Sequence, residues 1–282
     1  MIFPPFAYMK STNIKLICTD IDGTLLNVNR ELSQHTIDVI HQLKNEIPII
    51  LISSRMPSSM RLLQEELHIL DLPLIAYNGS LILDQSNCLL SKEIDVEVIE
   101  AIVAAVNATN IHASLYSHDD WYVPSNDYWA KREANNTRIQ PTVQPILKTL
   151  QGMKKRKVGA HKIMCMGPKE EINILHELLT SKYSNQVHAY RSKDTYIEIS
   201  HIDQDKFSAL AHLMKIKYPT LQVENTLAFG DNYNDKTLLE NAGQGVAVAN
   251  AKDEILAVAK IVTASNINDG VAHYLHDQFL AS

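Results

Sequence analysis

At 282 residues, 45% of them hydrophobic and 21% charged, the chain has ordinary globular composition and is long enough for two domains or for one domain carrying a large insertion. A formal net charge of −6 argues against a nucleic-acid partner, whose phosphates call for clustered Lys and Arg, and no stretch reaches the roughly 18 apolar residues of a membrane span. Cys18, Cys88 and Cys165 show neither metal nor redox spacing. Cys18 and Cys165 lie in apolar runs, as buried free thiols of a cytoplasmic protein would. The first ten residues lack the charged and apolar regions of a signal peptide, and Met9 is an alternative start.

The first third of the chain alternates strand and helix signals. Residues 14–19 read as a buried strand. Ser33 offers an N-cap to a helix bearing Ile37, Ile40 and Leu43 on one face. Ile49–Ile52 is a second buried strand, and Pro57 suits the first turn of a helix faced by Met60, Leu63 and Leu67. Residues 74–77 give a third strand that stops at Asn78-Gly79, read either as an ordinary turn or as a turn that also lines the site. Strands alternating with helices imply parallel pairing through right-handed crossovers.

The pattern changes between about Ser86 and Ser192. Asp95 is placed to cap a helix, with Ile94 and Ile99 as a hydrophobic staple. Strands are expected at 113–116, 121–123, 162–166, 187–190 and 195–199, with a helix through Ile172, Leu175 and Leu179; residues 124–140 are polar and poorly patterned. Paired strands around helices indicate an antiparallel α+β unit. After Ser200 the alternation returns, with a helix bearing Phe207, Leu210 and Met214 and a strand over Thr226–Gly230. The fold class is therefore α/β: a doubly wound parallel-sheet core, residues 1–85 and 193–282, interrupted by an α+β insertion over 86–192.

In an open parallel sheet, ligands bind beyond the carboxyl ends of the strands. Three apolar runs end there in chemically loaded residues: Asp20, Ser53 and Asp231. Two turns, Asp20-Ile21-Asp22-Gly23-Thr24 and Gly230-Asp231-Asn232-Tyr233-Asn234-Asp235, supply four carboxylates at one edge. Charges ~4 Å apart repel by ~4 kcal/mol per pair at an effective dielectric near 20, so these need a cation or raised pKa values. Oxygen ligands, with no His or Cys at a suitable spacing near these turns, favour Mg²⁺ over Zn²⁺. One aspartate can attack an electrophile while another moves protons. Ser53 and Ser54 can offer a hydroxyl and backbone N–H groups to a phosphate, and Lys206 an ammonium.

These motifs resemble those of the haloacid dehalogenase-like superfamily, and within it the Cof-type phosphatase branch, over roughly residues 13–275. The resemblance implies a Rossmann-like core, with the insertion acting as a cap that sets substrate specificity. It makes Asp20 the nucleophile that forms an aspartyl-phosphate and Asp22 the acid and base whose backbone carbonyl reaches Mg²⁺. It also makes the Ile21 amide a phosphoryl contact. Its Thr-Gly-Arg falls on Ser53-Ser54-Arg55, its lysine on Lys206, and its second acidic motif on residues 230–235. Asp231 and Asp235 then serve the metal, and Asn234 the phosphate. Ser54 and Phe207 stand where the branch has glycine, and Val248 where it has methionine.

The implied activity is Mg²⁺-dependent hydrolysis of small phosphorylated metabolites, sugar or cofactor phosphates, by a cytoplasmic monomer or homodimer. The rivals are a phosphomutase-type transferase, with a second phosphate site at residues 154–157 or Arg132, and a phospho-accepting regulatory domain without turnover. Lys154-Lys155-Arg156-Lys157 otherwise reads as a solvated face, and Trp121, Tyr122, Tyr128 and Trp129 as core packing or a lid. The twelve histidines, His201 included, show no ligand or triad spacing.

Overall fold

Short runs such as LICT and IILI are satisfied only where both faces are covered. The computed structural model, which describes residues 13–281, places them at the centre of a sheet. Met9, the alternative start, lies outside the described residues. The chain runs through β1 (Leu16–Thr19), β2 (Ile49–Ile52), β3 (Leu74–Ala76), β4 (Leu81–Asp84) and β5 (Asn87–Ser91). It then makes β6 (His112–Ser117), β7 (Asp120–Val123), β8 (Thr142–Val143), β9 (Lys162–Met166), β10 (Val187–Lys193) and β11 (Tyr196–His201). It closes with β12 (Thr226–Gly230), β13 (Gln244–Val248) and β14 (Ile261–Thr263).

The first sheet has the order β14-β13-β12-β1-β2-β3-β4-β5. From β14 to β3 all pairs are parallel, and β4 and β5 add an antiparallel edge. The chain leaves β1 toward β2 and β3 and later returns on the other flank through β12. The β1/β12 boundary is thus the topological switch point, where open sheets place their ligands. The second sheet, β10-β11-β9-β6-β7-β8, is antiparallel except for the short β7/β8 pair.

Alternation within that second sheet decides what it shows to the first. Ile163, Cys165, Ile197 and Ile199 pack under helices Val96–Val106, Ile146–Arg156 and Lys169–Lys182 in a separate core. With a side-chain period of two, Lys162, Met164, Met166, Tyr196 and Glu198 stand on the opposite face. Tyr116 and Trp121 join the core of the first sheet instead. At the junction, His161 stacks on Tyr77 (centroids 5.5 Å apart) and the Lys162 ammonium lies 4.4 Å from the Tyr116 ring centroid. The Tyr77 hydroxyl donates to the His118 carbonyl at 2.7 Å.

Ser33 caps its helix as expected, accepting from the Thr36 amide at 3.0 Å, and Pro57 opens the next. Elsewhere the structure departs from the sequence expectations. β3 stops at Ala76, because Tyr77 and Asn78 turn to positive φ. The β4–β5 hairpin carries no Asn-Gly or Asp-Gly signal at its turn. It keeps the chain in the first sheet to Ser91, while β11 keeps it in the second to His201. The sheets therefore change over later than the expected bounds at 85/86 and 192/193. Asp95 sits at an N-cap position without a side-chain cap bond. Helix Tyr128–Thr137 forms inside the polar stretch, capped by Asp127 and buried only through Ala130, Ala134 and Thr137. Three small or polar anchors make too weak a stripe to read by hydropathy.

His161 at this junction is fully buried. Burial, followed by the charge of His118, lowers its pKa from 6.5 to about 3. Its Nδ1 accepts the His118 amide at 3.1 Å, and its Nε2 lies 3.0 Å from the Ser91 hydroxyl. A depressed folded pKa contributes stability above the unfolded value that is lost as pH falls through the window from 6.5 toward 3. The stability difference between wild type and His161→Gln should therefore shrink by about 1.4 kcal/mol between pH 7.5 and 5.5. Denaturant unfolding at the two pH values measures it, and a pH-independent difference contradicts a neutral buried imidazole.

Candidate active site

β1 pairs with β12 so that Thr19 lies beside Phe229, and the Asp20 amide donates to the Phe229 carbonyl at 3.0 Å. That register brings the turn after β1 level with the turn after β12. Carboxylate oxygens of Asp20, Asp231 and Asp235 come within 4.8 Å of one another. Lys206 opens helix Lys206–Lys217 behind its Asp205 cap and is fully buried. Its ammonium donates to Asp20 Oδ1 and Asp235 Oδ1, each at 2.6 Å. The other Asp235 oxygen accepts the Asp231 and Asn232 amides at 3.0 Å, and the Thr24 hydroxyl donates to Asp231 Oδ1 at 2.9 Å. Gly23 is required here: its φ is +88°, and a Cβ would fall 2.5 Å from Asp231 Oδ2.

One ammonium thus faces three carboxylates. Burial raises the Asp20 carboxyl well above the usual range; Lys206 opposes the rise, and Asp235 and Asp231 add to it. Burial and then the Asp235 charge raise Asp231 to about 6. The surplus of buried negative charge and the all-oxygen donor set fit a hard divalent cation such as Mg²⁺.

Asp22 turns the other way. Its carboxylate accepts a two-pronged pair from Arg55, Nε to Oδ2 at 2.6 Å and Nη2 to Oδ1 at 2.8 Å, and a third bond from Arg30 Nη1 at 3.0 Å. Burial opposes ionisation, yet the Arg55 hydrogen bonds and charge, with Arg30, hold this carboxyl below its ordinary value. Of the four carboxylates expected at one edge, three cluster within 4.8 Å, and the guanidinium groups of Arg55 and Arg30 hold the fourth, Asp22, apart from them.

Ser53 is buried at the end of β2. Its amide is committed to the Ile75 carbonyl at 3.0 Å, and its hydroxyl accepts the Arg55 amide at 3.2 Å. Ser54 avoids positive φ, so serine in place of glycine carries no backbone strain. Ile21 is buried, with its carbonyl accepting the Leu25 and Leu26 amides at 3.0 Å. Asn234 donates to Asn78 Oδ1 at 2.9 Å, and Asn78 in turn donates to Glu198 Oε1 of β11 at 2.8 Å. Burial raises the Glu198 carboxyl, with Lys162 pulling against it. Lys162 of β9 donates to the Ser54 carbonyl at 2.8 Å.

Two cavities lie between the sheets, with Ser54 lining both. One, about 220 Å³, is bordered by Asp22, Arg55, Trp129 and Lys162. The other, about 520 Å³, is bordered by Asn78, Glu198, Lys206 and Asn234. Asn78 borders the larger cavity, as one of the two readings of its turn allows; Arg55 takes no role from sequence, and neither do Lys162 and Glu198. The available signal was a charged residue alternating with isoleucines inside β9 and β11.

Of the four aromatic residues with a candidate lid role, Trp129 lines the smaller cavity. Trp121 is buried against Tyr116, and Tyr128 is exposed. Phe207 packs half-buried on the core rather than walling the site, and Val248 is fully buried. In the basic run, Lys154 pairs with Glu100 and Arg156 with Asp120, as on a solvated face. His201 accepts the Asp203 amide at 3.1 Å. Glu93, His118 and His161 do come together in space, although no spacing announced it.

A family model of haloacid dehalogenase-like hydrolases matches residues 17–275, embracing the carboxylate cluster, both sheets and Lys206. The chain belongs to that family. Among its haloacid dehalogenase-like relatives, a Haemophilus influenzae protein, provisionally named a phosphatase, is 31% identical over 269 residues, 94% of this chain and 98% of its own. A 5-amino-6-(5-phospho-D-ribitylamino)uracil phosphatase of Bacillus subtilis is 29% identical, covering 94% of this chain and 97% of its own. A pyridoxal phosphate phosphatase of Escherichia coli is 24% identical, covering 94% and 99%. A crystal structure from Thermotoga maritima superposes with a TM-score of 0.83 at 29% identity, over 93% of this chain and 97% of its own. No helix among the described residues is long and apolar enough to cross a membrane.

Proposed function

We propose that this haloacid dehalogenase-like hydrolase is a Mg²⁺-dependent phosphatase of small phosphorylated metabolites, working through an aspartyl-phosphate on Asp20. The observation that carries the reading is the convergence of Asp20, Asp231 and Asp235 around the buried Lys206 ammonium at the switch point. The names of the relatives, phosphatases of pyridoxal phosphate and of a ribitylaminouracil phosphate, support the substrate class.

An Asp20 oxygen attacks phosphorus in line, and the bond from phosphorus to the ester oxygen breaks. Asp22 delivers a proton to the departing alkoxide. Water then attacks the phosphoryl group, Asp22 takes the water's proton, and the bond to Asp20 breaks, releasing inorganic phosphate. The ionised Asp22 held by Arg55 and Arg30 is the form that receives the water's proton. An incoming phosphate dianion competes for Arg55, loosens that pair and favours the protonated form needed for donation. Ser53, Ser54 and Asn234 surround the phosphoryl oxygens, and the Ile21 amide meets them from the turn after β1. Lys206 offsets their charge. Asp20, Asp231, Asp235 and the Asp22 carbonyl would hold Mg²⁺, which neutralises charge developing on the phosphoryl oxygens.

Residues of the inserted sheet, Lys162 and Glu198, sit against the site and exclude bulk water. Buried free Cys18 and Cys165 suit a cytoplasmic location. Phosphate release from a panel of phosphometabolites should require Mg²⁺ and stop in excess chelator. Full release in chelator removes the metal assignment, and no release from any member removes the phosphatase reading.

A further inference from the structure

The smaller cavity is strongly cationic in a protein whose formal charge is −6. Five cationic side chains line it (Arg30, Arg55, Arg132, Lys162 and Lys193) against two carboxylates, Asp22 and Glu133. Three of the five are already engaged. Arg55 and Arg30 hold Asp22, and Lys162 donates to the Ser54 carbonyl. Arg132 and Lys193 are different. Among the described residues neither forms an ion pair, yet both gather at one ring. The Arg132 guanidinium lies 5.4 Å and the Lys193 ammonium 5.7 Å from the Tyr196 centroid.

Two like charges drawn to one ring repel each other, and an aromatic face offsets only part of that cost. An anion shared by the two would offset the rest. Trp129, edge-on to Tyr196 at 5.3 Å, and Met164 and Met166 complete an apolar wall suited to a short carbon stem. The same cavity contains Asp22, the group that protonates the leaving oxygen, so its contents are the leaving group rather than the transferred phosphoryl. Its volume, about 220 Å³, is below the roughly 300–1,000 Å³ of sites for drug-sized ligands.

We infer that the site prefers compact phosphomonoesters whose leaving alcohol carries a second anionic group, a carboxylate or another phosphate, held by Arg132 and Lys193 over Tyr196. The inference rests on the phosphatase reading above and specifies its substrate class. Asp22 serves the leaving oxygen and the cation pair takes the second anion in the same cavity, so the site reads the charge of the leaving group.

Three esters of one carbon skeleton test it: glycerol 3-phosphate, 3-phosphoglycerate and glycerol 1,3-bisphosphate, each assayed for phosphate release with Mg²⁺. The two anionic leaving groups should exceed the neutral one in kcat/KM by about tenfold or more, mainly through KM, the scale of one charge-assisted contact. A preference for only one of the two identifies the anion as carboxylate or as phosphate. Arg132→Met and Lys193→Met should each reduce the ratio, and together bring it near one, with thermal unfolding confirming folded proteins. Equal kcat/KM for all three esters, or a preference that survives the double substitution, overturns the subsite while leaving the phosphatase reading intact. Absence of release from all three and from p-nitrophenyl phosphate overturns both.

Discussion

Asp20→Asn should abolish multiple-turnover phosphate release, lowering kcat by at least about a thousandfold, the scale seen when a covalent nucleophile is removed. An amide is isosteric with the carboxylate but lacks the charge and lone-pair reactivity needed to attack phosphorus. The fold should survive. Lys206 keeps Asp235 at 2.6 Å, and the substitution removes one of three crowded carboxylates, the one whose pKa burial has already raised. The melting temperature of the metal-free variant should therefore lie close to, or above, that of the wild type. Phosphate release over many turnovers and a thermal melt measure both outcomes. A rate within tenfold of wild type would remove Asp20 as nucleophile, whatever its neighbours.

Lys206→Met should damage stability and activity together. The ammonium is fully buried, and the Asp20 and Asp235 charges, working against its desolvation, raise its pKa. Deleting one partner of a buried ion pair typically costs 3–5 kcal/mol, because the remaining charges have lost their counterion. Burial already holds Asp20 and Asp231 above their ordinary values, so the contribution of these groups falls as pH rises through their folded pKa values, about 6 for Asp231. The variant's deficit should accordingly be largest above pH 6 and shrink toward pH 4, where protonation relieves the repulsion. Mg²⁺ should recover part of the loss by binding only the folded chain. Turnover should remain depressed by about a hundredfold, since a point charge opposite the phosphoryl oxygens is missing. Urea unfolding at pH 5 and 7.5, with and without Mg²⁺, reads the stability effect. A melt indistinguishable from wild type at both pH values contradicts the buried pair.

What sequence reveals here follows how local each feature is. The apolar runs at 14–19 and Ile49–Ile52 are what only a doubly covered parallel strand tolerates; the second appears with its expected bounds and the first begins two residues later, at Leu16. The helix Tyr128–Thr137 escaped because its buried stripe is Ala, Ala and Thr, a periodicity with almost no hydropathy contrast. The β4–β5 hairpin escaped because positive φ at Gln85, where Asn or Gly would have announced the turn, is imposed by the strands on either side. Asp20 and Asp231 could be paired in advance because each ends an apolar strand and strand ends in a parallel sheet share an edge.

The amino-acid order was enough for the fold class, for the order of the acidic turns and for the four acidic side chains and the lysine from which the cluster is drawn. Each depends on a residue and its immediate neighbours, or on the rule that parallel strands point the same way. The direction in which Asp22 faces, the cation pair at Tyr196 and the Lys162 bridge to Ser54 were decided only by tertiary structure. These contacts join side chains from strands and helices dozens of residues apart, and period-two alternation in β9 and β11 acquires meaning only once one face of that sheet is packed against its own helices.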